Sequence, residues 1–525
     1  MTRLFPDIKF NVKVIKTEGD INKELNFDKI KEGIFVNEID KQLIDGKIDL
    51  AVHSLKDLPI SRPEGITLAA IMKRAEPRDV LISTNNKTLS ELRKGAKIGT
   101  SSPRRRGQLL AYRKDLNIVG IRGNVDSRIK KLDSGEFDAI VLAHAGVERL
   151  GLSNRISEIL PLNVMVPASG QGALAIEVKT TKTALIDKLS LIDDKDTRIA
   201  VSTERIILSR IGGGCNLPVG IFAKVNGNII SIQTQITNSN GEKVWKNIHK
   251  TTVTKAAEAA LTLSERILMS DAVDAIKNNV DNNVLHGKTV LITREETSNE
   301  GLSKLLLEQS AIPIYLPTIR FSEVKSKAPK SLDLYDFILI TSKRAIPFLA
   351  RMSRERKINS KIVAIGEETK HSLEKNLFNV SLIPKTPGTA ELISSLGNVT
   401  GKKILLINSS KAPQEMIGAL KSAGAEVDKI NPYTVKLSRI SKERKKIILN
   451  YKLDFITFAS PSAVYGFLKH FGDDSGKLLS NAKVICIGKT TAGACNEAGI
   501  SVTGIAKKAS IKSMVSYIID FSKKR

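Results

Sequence analysis

The chain has 525 residues, too long for one hydrophobic core, so about three to five domains are expected. Its 41% apolar content is ample for globular packing, while 4% aromatic content argues against stacking-based nucleic-acid binding. No run of about 18 apolar residues suited to crossing a membrane appears. The first ten residues lack the pattern of a secretory signal, and three cysteines over this length suit a reducing cytoplasm. The net charge of +27 has three candidate sources: a lysine-rich solvated surface, nucleic acid, or a polyanionic small molecule in arginine-lined clefts. Lysines are dispersed but arginines gather between Arg104 and Arg155, which favours a specific anion site; about half the excess is assigned to the generic surface.

Short apolar runs at Ile48–His53, Ala96–Gly99, Ile118–Ile121 and Ala139–Ala143 read as buried strands. Helical stretches over Asn37–Gly46 and Arg104–Lys114 lie among them, which predicts an α/β protein with a mostly parallel sheet. The segment Ser270 to Asn283 turns polar and a new strand opens at Lys288, so domains are placed at 1–283 and 284–525. The second of these is duplicated. Asp336–Leu349 (DFILITSKRAIPFL) resembles Asp454–Leu468 (DFITFASPSAVYGFL), Lys361 onward resembles Lys483 onward, and Gly287 (GKTVLITREE) resembles Gly401 (GKKILLINSS). Such a period is too long for a solenoid and predicts two related α/β lobes facing a cleft. Ser342 then pairs with Ser460 and Thr369 with Thr491, each just after a strand, where open α/β sheets bind ligands. A capping hydroxyl at a helix start is an equal alternative for each.

Four segments of the first half carry chemistry. In AVHSLKDLP a strand ends at His53 and presents Lys56 and Asp57, either a surface ion pair or a carboxylate that stabilises a developing cation. In GTSSPRRR, Thr100, Ser101 and Ser102 precede Arg104 and Arg105 at a helix start, a donor-rich anion site. Cations there oppose the helix dipole, and an anion would offset the conflict. IRGNVDSR adds Arg122 and Arg128, and PASGQGA offers glycines and Gln171 for close approach. The glycine run Gly212–Gly214 then presents Cys215. With Cys486 and Cys495 distant in sequence and no CxxC spacing, a zinc or disulfide framework is not expected. That leaves a nucleophile, a covalent anchor, or a small residue in a tight turn.

In this order HSLKDLP, GTSSPRRR, IRGNVDSR, LAHAGVERLG, SGQGALAIE and GGGCNLPVG resemble the hydroxymethylbilane synthase (porphobilinogen deaminase) family, from Met1 to about Asn283. The remainder is similar to the uroporphyrinogen-III synthase family through fainter motifs, ITSKRA, AIGEET, PYTV, FASPSA and CIGKTT. The whole resembles a fused bifunctional enzyme of tetrapyrrole synthesis. The resemblance implies two periplasmic-binding-protein-like α/β lobes and a small α+β domain carrying the cofactor cysteine, followed by two pseudo-repeated flavodoxin-like lobes.

It also implies a dipyrromethane cofactor joined to Cys215 by a thioether and kept as a primer. Asp57 would stabilise the cationic methylene-pyrrolenine left when porphobilinogen loses ammonia. Lys56, Thr100, Ser101, Ser102, Arg104, Arg105 and Arg128 would hold the cofactor. Arg122, Arg149 and Gln171 would bind substrate, with Phe35 beside the cleft. In the second half Tyr433, within PYTV, would assist departure of the hydroxyl, and Ser342, Thr369, Ser460 and Thr491 would donate hydrogen bonds. The expected partners are porphobilinogen and hydroxymethylbilane, with no metal, nucleic acid or membrane, in a cytoplasmic monomer.

One departure stands against this. The family opens with a strand and helix bearing an Arg-x-Ser-x-Leu-Ala type motif, and Met1 enters near the end of that helix, at TRLFPDIKF. The expectation is a misassigned start or a fragment, or else an impaired deaminase with a functional synthase half. A non-catalytic polyanion-binding protein is the rival of another class, but it leaves Cys215 and the Lys56–Asp57 pair unexplained. A nucleic-acid binder rests on charge alone.

Overall fold

The computed structural model describes residues 5–6, 8–15, 17, 36–60, 62–63, 65–212, 217–272, 275, 284–294, 301–324, 326, 329–353, 358–376, 378–384, 388–410 and 414–523. Phe35 and Cys215 lie outside the described residues. Its described residues form a mixed α/β structure of five sheets. Among the described residues no helix is long and apolar enough to cross a membrane.

Three sheets belong to the first half. One orders its strands Leu50–Ser54, Leu174–Lys179, Ile66–Ile71, with both pairings antiparallel. The second runs Asn117–Val119, Lys97–Gly99, Ala139–Ala143, Asp79–Ser83, Glu158–Ile159. Its first two pairings are parallel and its last two antiparallel. The third is an antiparallel meander of Val219–Asn226, Ile229–Thr237 and Val244–Thr252, packed against helices Lys195–Arg210 and Ala256–Leu268. The expectation of a mostly parallel sheet therefore fails in this half. Asp79–Ser83 is buried along its whole length, as a central parallel strand would be, yet it runs against both neighbours. An apolar run marks a buried strand, but only the connections set its direction.

In the second half the order Ile312–Tyr315, Thr289–Ile292, Phe455–Phe458, Lys483–Cys486, Gly504–Ile505 makes an all-parallel sheet. The other sheet runs Ile319–Glu323, Glu426–Leu437, Lys403–Ser409, Phe337–Ile340, Lys361–Ala364, Val380–Leu382 and is parallel after its first pairing. The duplication seen in sequence maps strand for strand onto these sheets, with Thr289–Ile292 matching Lys403–Ser409 and Phe455–Phe458 matching Phe337–Ile340. Even the fastenings repeat. Asp454 accepts from Thr289 N (2.9 Å) and Lys288 Nζ (3.1 Å), and Asp336 accepts from Lys403 N (2.9 Å) and Lys402 Nζ (3.0 Å). The copies are not consecutive: the chain starts the first sheet, builds the whole second sheet, and returns at residue 455 to finish the first.

The two halves share one core. Ile207, Ile221, Leu263 and Ile267 from the first belong to the same buried cluster as Ile312, Ile314, Phe458 and Phe467 from the second.

Candidate functional site

Strand Leu50–Ser54 passes directly into a single 3-10 turn, Leu55–Asp57. Leu55 is fully buried and anchors the turn, leaving Lys56 partly exposed and Asp57 exposed. Arg205, from helix Lys195–Arg210, fastens it by donating to the carbonyls of Leu58 (3.0 Å) and Pro59 (2.8 Å). From the other side comes the loop that follows Pro167. Gly170 has φ +73°, and a Cβ there would lie 3.1 Å from Leu55 Cγ and 3.2 Å from Lys56 N. Glycine is what lets this backbone press against the turn.

Helix Pro103–Tyr112 starts one residue before the expected Arg104 and ends two before the expected Lys114, with Ser102 as N-cap accepting from Arg105 N and Pro103 in the first turn. The anion that its arginines call for is supplied by the protein. Asp79, wholly buried at the head of its strand, accepts from Arg104 Nη1 (2.8 Å) and from Arg105 Nη2 (2.7 Å) and Nε (3.0 Å). Gln171 Nε2 also donates to Asp79 (3.1 Å) and to Pro77 O (2.7 Å). Burial alone would raise the Asp79 carboxyl, but the two guanidinium charges and their hydrogen bonds outweigh it and hold it well below the usual carboxylate range. Ser101 is a structural tie, donating to Ile121 O (2.8 Å) and accepting from Ile121 N (3.0 Å).

These pieces enclose a cleft of about 240 Å³. Its polar wall brings together Lys56, Asp57, Thr100, Ser101, Ser102, Arg104, Arg105, Arg128 and Gln171. The apolar part of the lining is Leu208, Leu217, Val219 and Ile221. Leu217 stands two residues beyond Cys215 in the chain. Arg122 and Arg149 are not among the lining residues; both are exposed, Arg149 at the end of helix His144–Arg149. Inside the cleft, burial lowers the Lys56 ammonium below the ordinary lysine range; Asp57 opposes this and Arg105 adds to it. Burial and Arg105 likewise lower Arg128. Cations crowded in this way gain most from a bound polyanion.

The second half gathers its candidates into two groups on different sheets. Tyr433 is buried on strand Glu426–Leu437, with the side chains of Ser342 and Thr341 hydrogen-bonded to it. Phe321 meets Tyr433 edge-on at 6.1 Å, and the Arg344 guanidinium lies 3.7 Å over the Phe321 ring. Desolvation pushes the Tyr433 hydroxyl above its ordinary range, against those hydrogen bonds and the Arg344 charge. Thr369 is buried in the first turn of helix Glu367–Lys375. On the other sheet Thr491 holds the equivalent place in helix Lys489–Glu497, and Ser460 caps helix Pro461–Phe471 through Ala463 N (3.2 Å). Ser342 also caps, accepting from Arg344 N (3.3 Å).

Sequence reasoning missed Asp79 and the roles of helix Lys195–Arg210. The acidic head of the apolar run DVLIS was the available signal for the first. It also passed over a cluster of three buried side chains and one partly buried arginine that includes the first residue of the motif HSLKDLP. Asp40, His53 and Glu177 converge there, and Arg62 donates to both carboxylates. Burial and Arg62 lower His53 below the ordinary histidine range.

Comparison with known proteins follows the same division. Residues 1–187 match the model of the porphobilinogen deaminase dipyromethane cofactor binding domain, and residues 198–269 match the porphobilinogen deaminase C-terminal domain. Residues 300–516 match the model of uroporphyrinogen-III synthase HemD. The chain is 45% identical over 244 residues to porphobilinogen deaminase of Brevibacillus brevis, covering 46% of this chain and 79% of that protein. It is 41% identical over 277 residues to that of Chlorobium phaeobacteroides, covering 52% and 88%. Among solved structures, uroporphyrinogen-III synthetase from Helicobacter pylori aligns over 45% of this chain and 99% of its own, at 19% identity and TM-score 0.34.

Proposed function

Since the chain belongs to the porphobilinogen deaminase family and carries a uroporphyrinogen-III synthase domain behind it, we propose that its arginine-rich cleft builds hydroxymethylbilane on a primer held by Cys215 and that the second half closes the product into uroporphyrinogen III. It is a bifunctional enzyme of tetrapyrrole biosynthesis, a transferase joined to a lyase, with dipyrromethane as cofactor. The observation that carries the reading is the single cleft in which Lys56, Asp57, Arg104, Arg105 and Arg128 converge.

The cleft fits the cofactor on chemical grounds. Four cationic side chains suit acetate and propionate groups, and the wall of Leu208, Leu217, Val219 and Ile221 suits pyrrole faces. When bound, the primer supplies the free α-carbon on which the chain grows. The chemistry it would supply is the joining of four porphobilinogen units, one ammonia lost for each carbon–carbon bond made, with water releasing hydroxymethylbilane. Exposed on a fixed turn beside that wall, Asp57 stabilises the cation left by ammonia and takes up the proton lost when the new bond forms. Lys56 and Arg128 bind carboxylates. Arg104 and Arg105, already anchored to Asp79, present a fixed positive edge. Thr100, Ser101, Ser102 and Gln171 border it; Arg122 and Arg149, outside the lining, bind substrate carboxylates.

For ring closure the substrate brings its own leaving group, and the enzyme holds a geometry. Tyr433, keeping its proton because burial raises it, donates to the departing hydroxyl, which leaves as water. Ser342, Thr369, Ser460 and Thr491 contact the substrate from two flavodoxin-like lobes. The first half forms two periplasmic-binding-protein-like lobes and a small domain carrying Cys215, with the division at 283/284. The enzyme acts as a cytoplasmic monomer on small molecules, with no nucleic-acid or membrane partner.

Intact mass spectrometry after expression with porphobilinogen tests the first half. The expected result is an increment of two linked pyrroles, lost in Cys215→Ala; a folded, unmodified chain overturns the reading. Supplying hydroxymethylbilane tests the second half, where isomer I alone at the spontaneous rate would count against synthase activity.

A further inference from the structure

Helix Lys195–Arg210 is fastened to both halves of the chain. Just past its middle Glu204, fully buried, accepts from Arg74 Nη1 (2.6 Å), Gly170 N (2.7 Å) and Ala223 N (2.7 Å). Arg205 holds the turn that carries Lys56 and Asp57, and Leu208 forms part of the cleft wall. About 9 Å beyond Glu204 along the helix axis, the last residue, Arg210, reaches the synthase half. Its guanidinium lies 4.1 Å over the Tyr315 ring, and Nη1 donates to Ser303 Oγ (2.6 Å).

The backbone of Tyr315 is itself fastened at both ends. Its N–H donates to Glu265 (3.3 Å) and its carbonyl accepts from Arg444 Nη2 (2.9 Å). Glu265 and Arg444, 2% and 4% exposed, form a bidentate pair across the two halves at 2.5 and 2.6 Å. One face of the synthase half therefore grips the far end of the helix whose side chains shape the deaminase cleft.

The geometry points to Arg210 as a positioning residue, through which Tyr315 of the synthase half sets one wall of the deaminase cleft. This rests on the reading of that cleft as the deaminase site. The synthase half then has a second role, as a brace for its neighbour's active site. A planar guanidinium on an aromatic face transmits orientation, which a lysine ammonium in the same place does not.

The test uses the full chain with Tyr315→Leu, Tyr315→Phe and Arg210→Lys. Porphobilinogen turnover is measured beside cyclisation of supplied hydroxymethylbilane in the same preparations. Tyr315→Leu and Arg210→Lys are expected to lower deaminase kcat about three- to tenfold, while Tyr315→Phe, which keeps the ring, stays within about twofold. Cyclisation stays within about twofold of the parent chain in all three, which separates misplacement of the wall from general damage. Unchanged deaminase kcat in both Tyr315→Leu and Arg210→Lys overturns the proposal, as does an equal fall in Tyr315→Phe. A parent chain without primer would instead sink the functional reading. The brace is then read from the rate at which N-ethylmaleimide alkylates Cys215. Acceleration in Tyr315→Leu but not in Tyr315→Phe supports it, and equal rates overturn it.

Discussion

At Asp79 two guanidiniums share one carboxylate, leaving the pair of arginines with a surplus positive charge at the cleft edge. Replacing it by asparagine strands two buried cations, and Asp79→Asn is expected to cost about 3–5 kcal/mol in denaturant unfolding. The effect carries a pH signature. The folded carboxyl stays ionised where an unfolded aspartate, near pKa 3.9, already takes up a proton, so acid favours the unfolded chain. The advantage over Asp79→Asn should be full above about pH 5 and narrow steadily as the pH falls from there through the depressed folded value. Asp57 is the opposite kind of residue, exposed and carried by a turn whose anchor is Leu55. Asp57→Ala is expected to lower porphobilinogen turnover by about 10²-fold or more while leaving the unfolding midpoint nearly unchanged. Normal turnover would remove it from the catalytic role.

Among the elements, the loop around Gly170 is closely constrained, because its positive φ and its contact with Leu55 and Lys56 both disfavour a side chain. Gly170→Ala is expected to cost about 1–2 kcal/mol from the left-handed backbone alone, measured by denaturant unfolding, and to raise the KM for porphobilinogen by displacing Lys56. The glycines of this loop were legible in sequence, as were strand Ala139–Ala143 and the helix that starts after Ser102, because local rules of burial and capping decide them. Strand direction was not legible, since Asp79–Ser83 and a parallel strand carry the same apolar run. Nor was Asp79 as the partner of the arginines, which stand 25 and 26 residues further on. The duplication was visible as repeated words, but the return of the chain to its first sheet was not. Repeated words mark equivalent strands without saying which sheet each joins.

For the whole molecule, the shared buried cluster and the Glu265–Arg444 pair make the junction resemble the inside of a domain more than a linker between two. Heat or denaturant should therefore unfold the helix Ala256–Leu268 region and the Ile312–Tyr315 sheet together, checked by hydrogen exchange on both segments. Arg444→Met leaves the Glu265 carboxylate buried without its cation and is expected to destabilise by about 3–5 kcal/mol. The double change Glu265→Leu with Arg444→Met is expected to recover most of that, because two apolar side chains of similar volume need no partners.

The interleaved order of the two sheets also sets a timetable for synthesis on the ribosome. Thr289 leaves the tunnel 165 residues ahead of Asp454, the residue that fastens its strand. At about 5–20 residues per second, that is a wait of about 8–33 s. Throughout it the first half is complete in sequence, but the surface that will cover helix Ala256–Leu268 is unfinished. Nascent chains stalled shortly before residue 454 are the stage at which chaperone capture of the apolar face of that helix should peak, and release should follow within the last 70 residues.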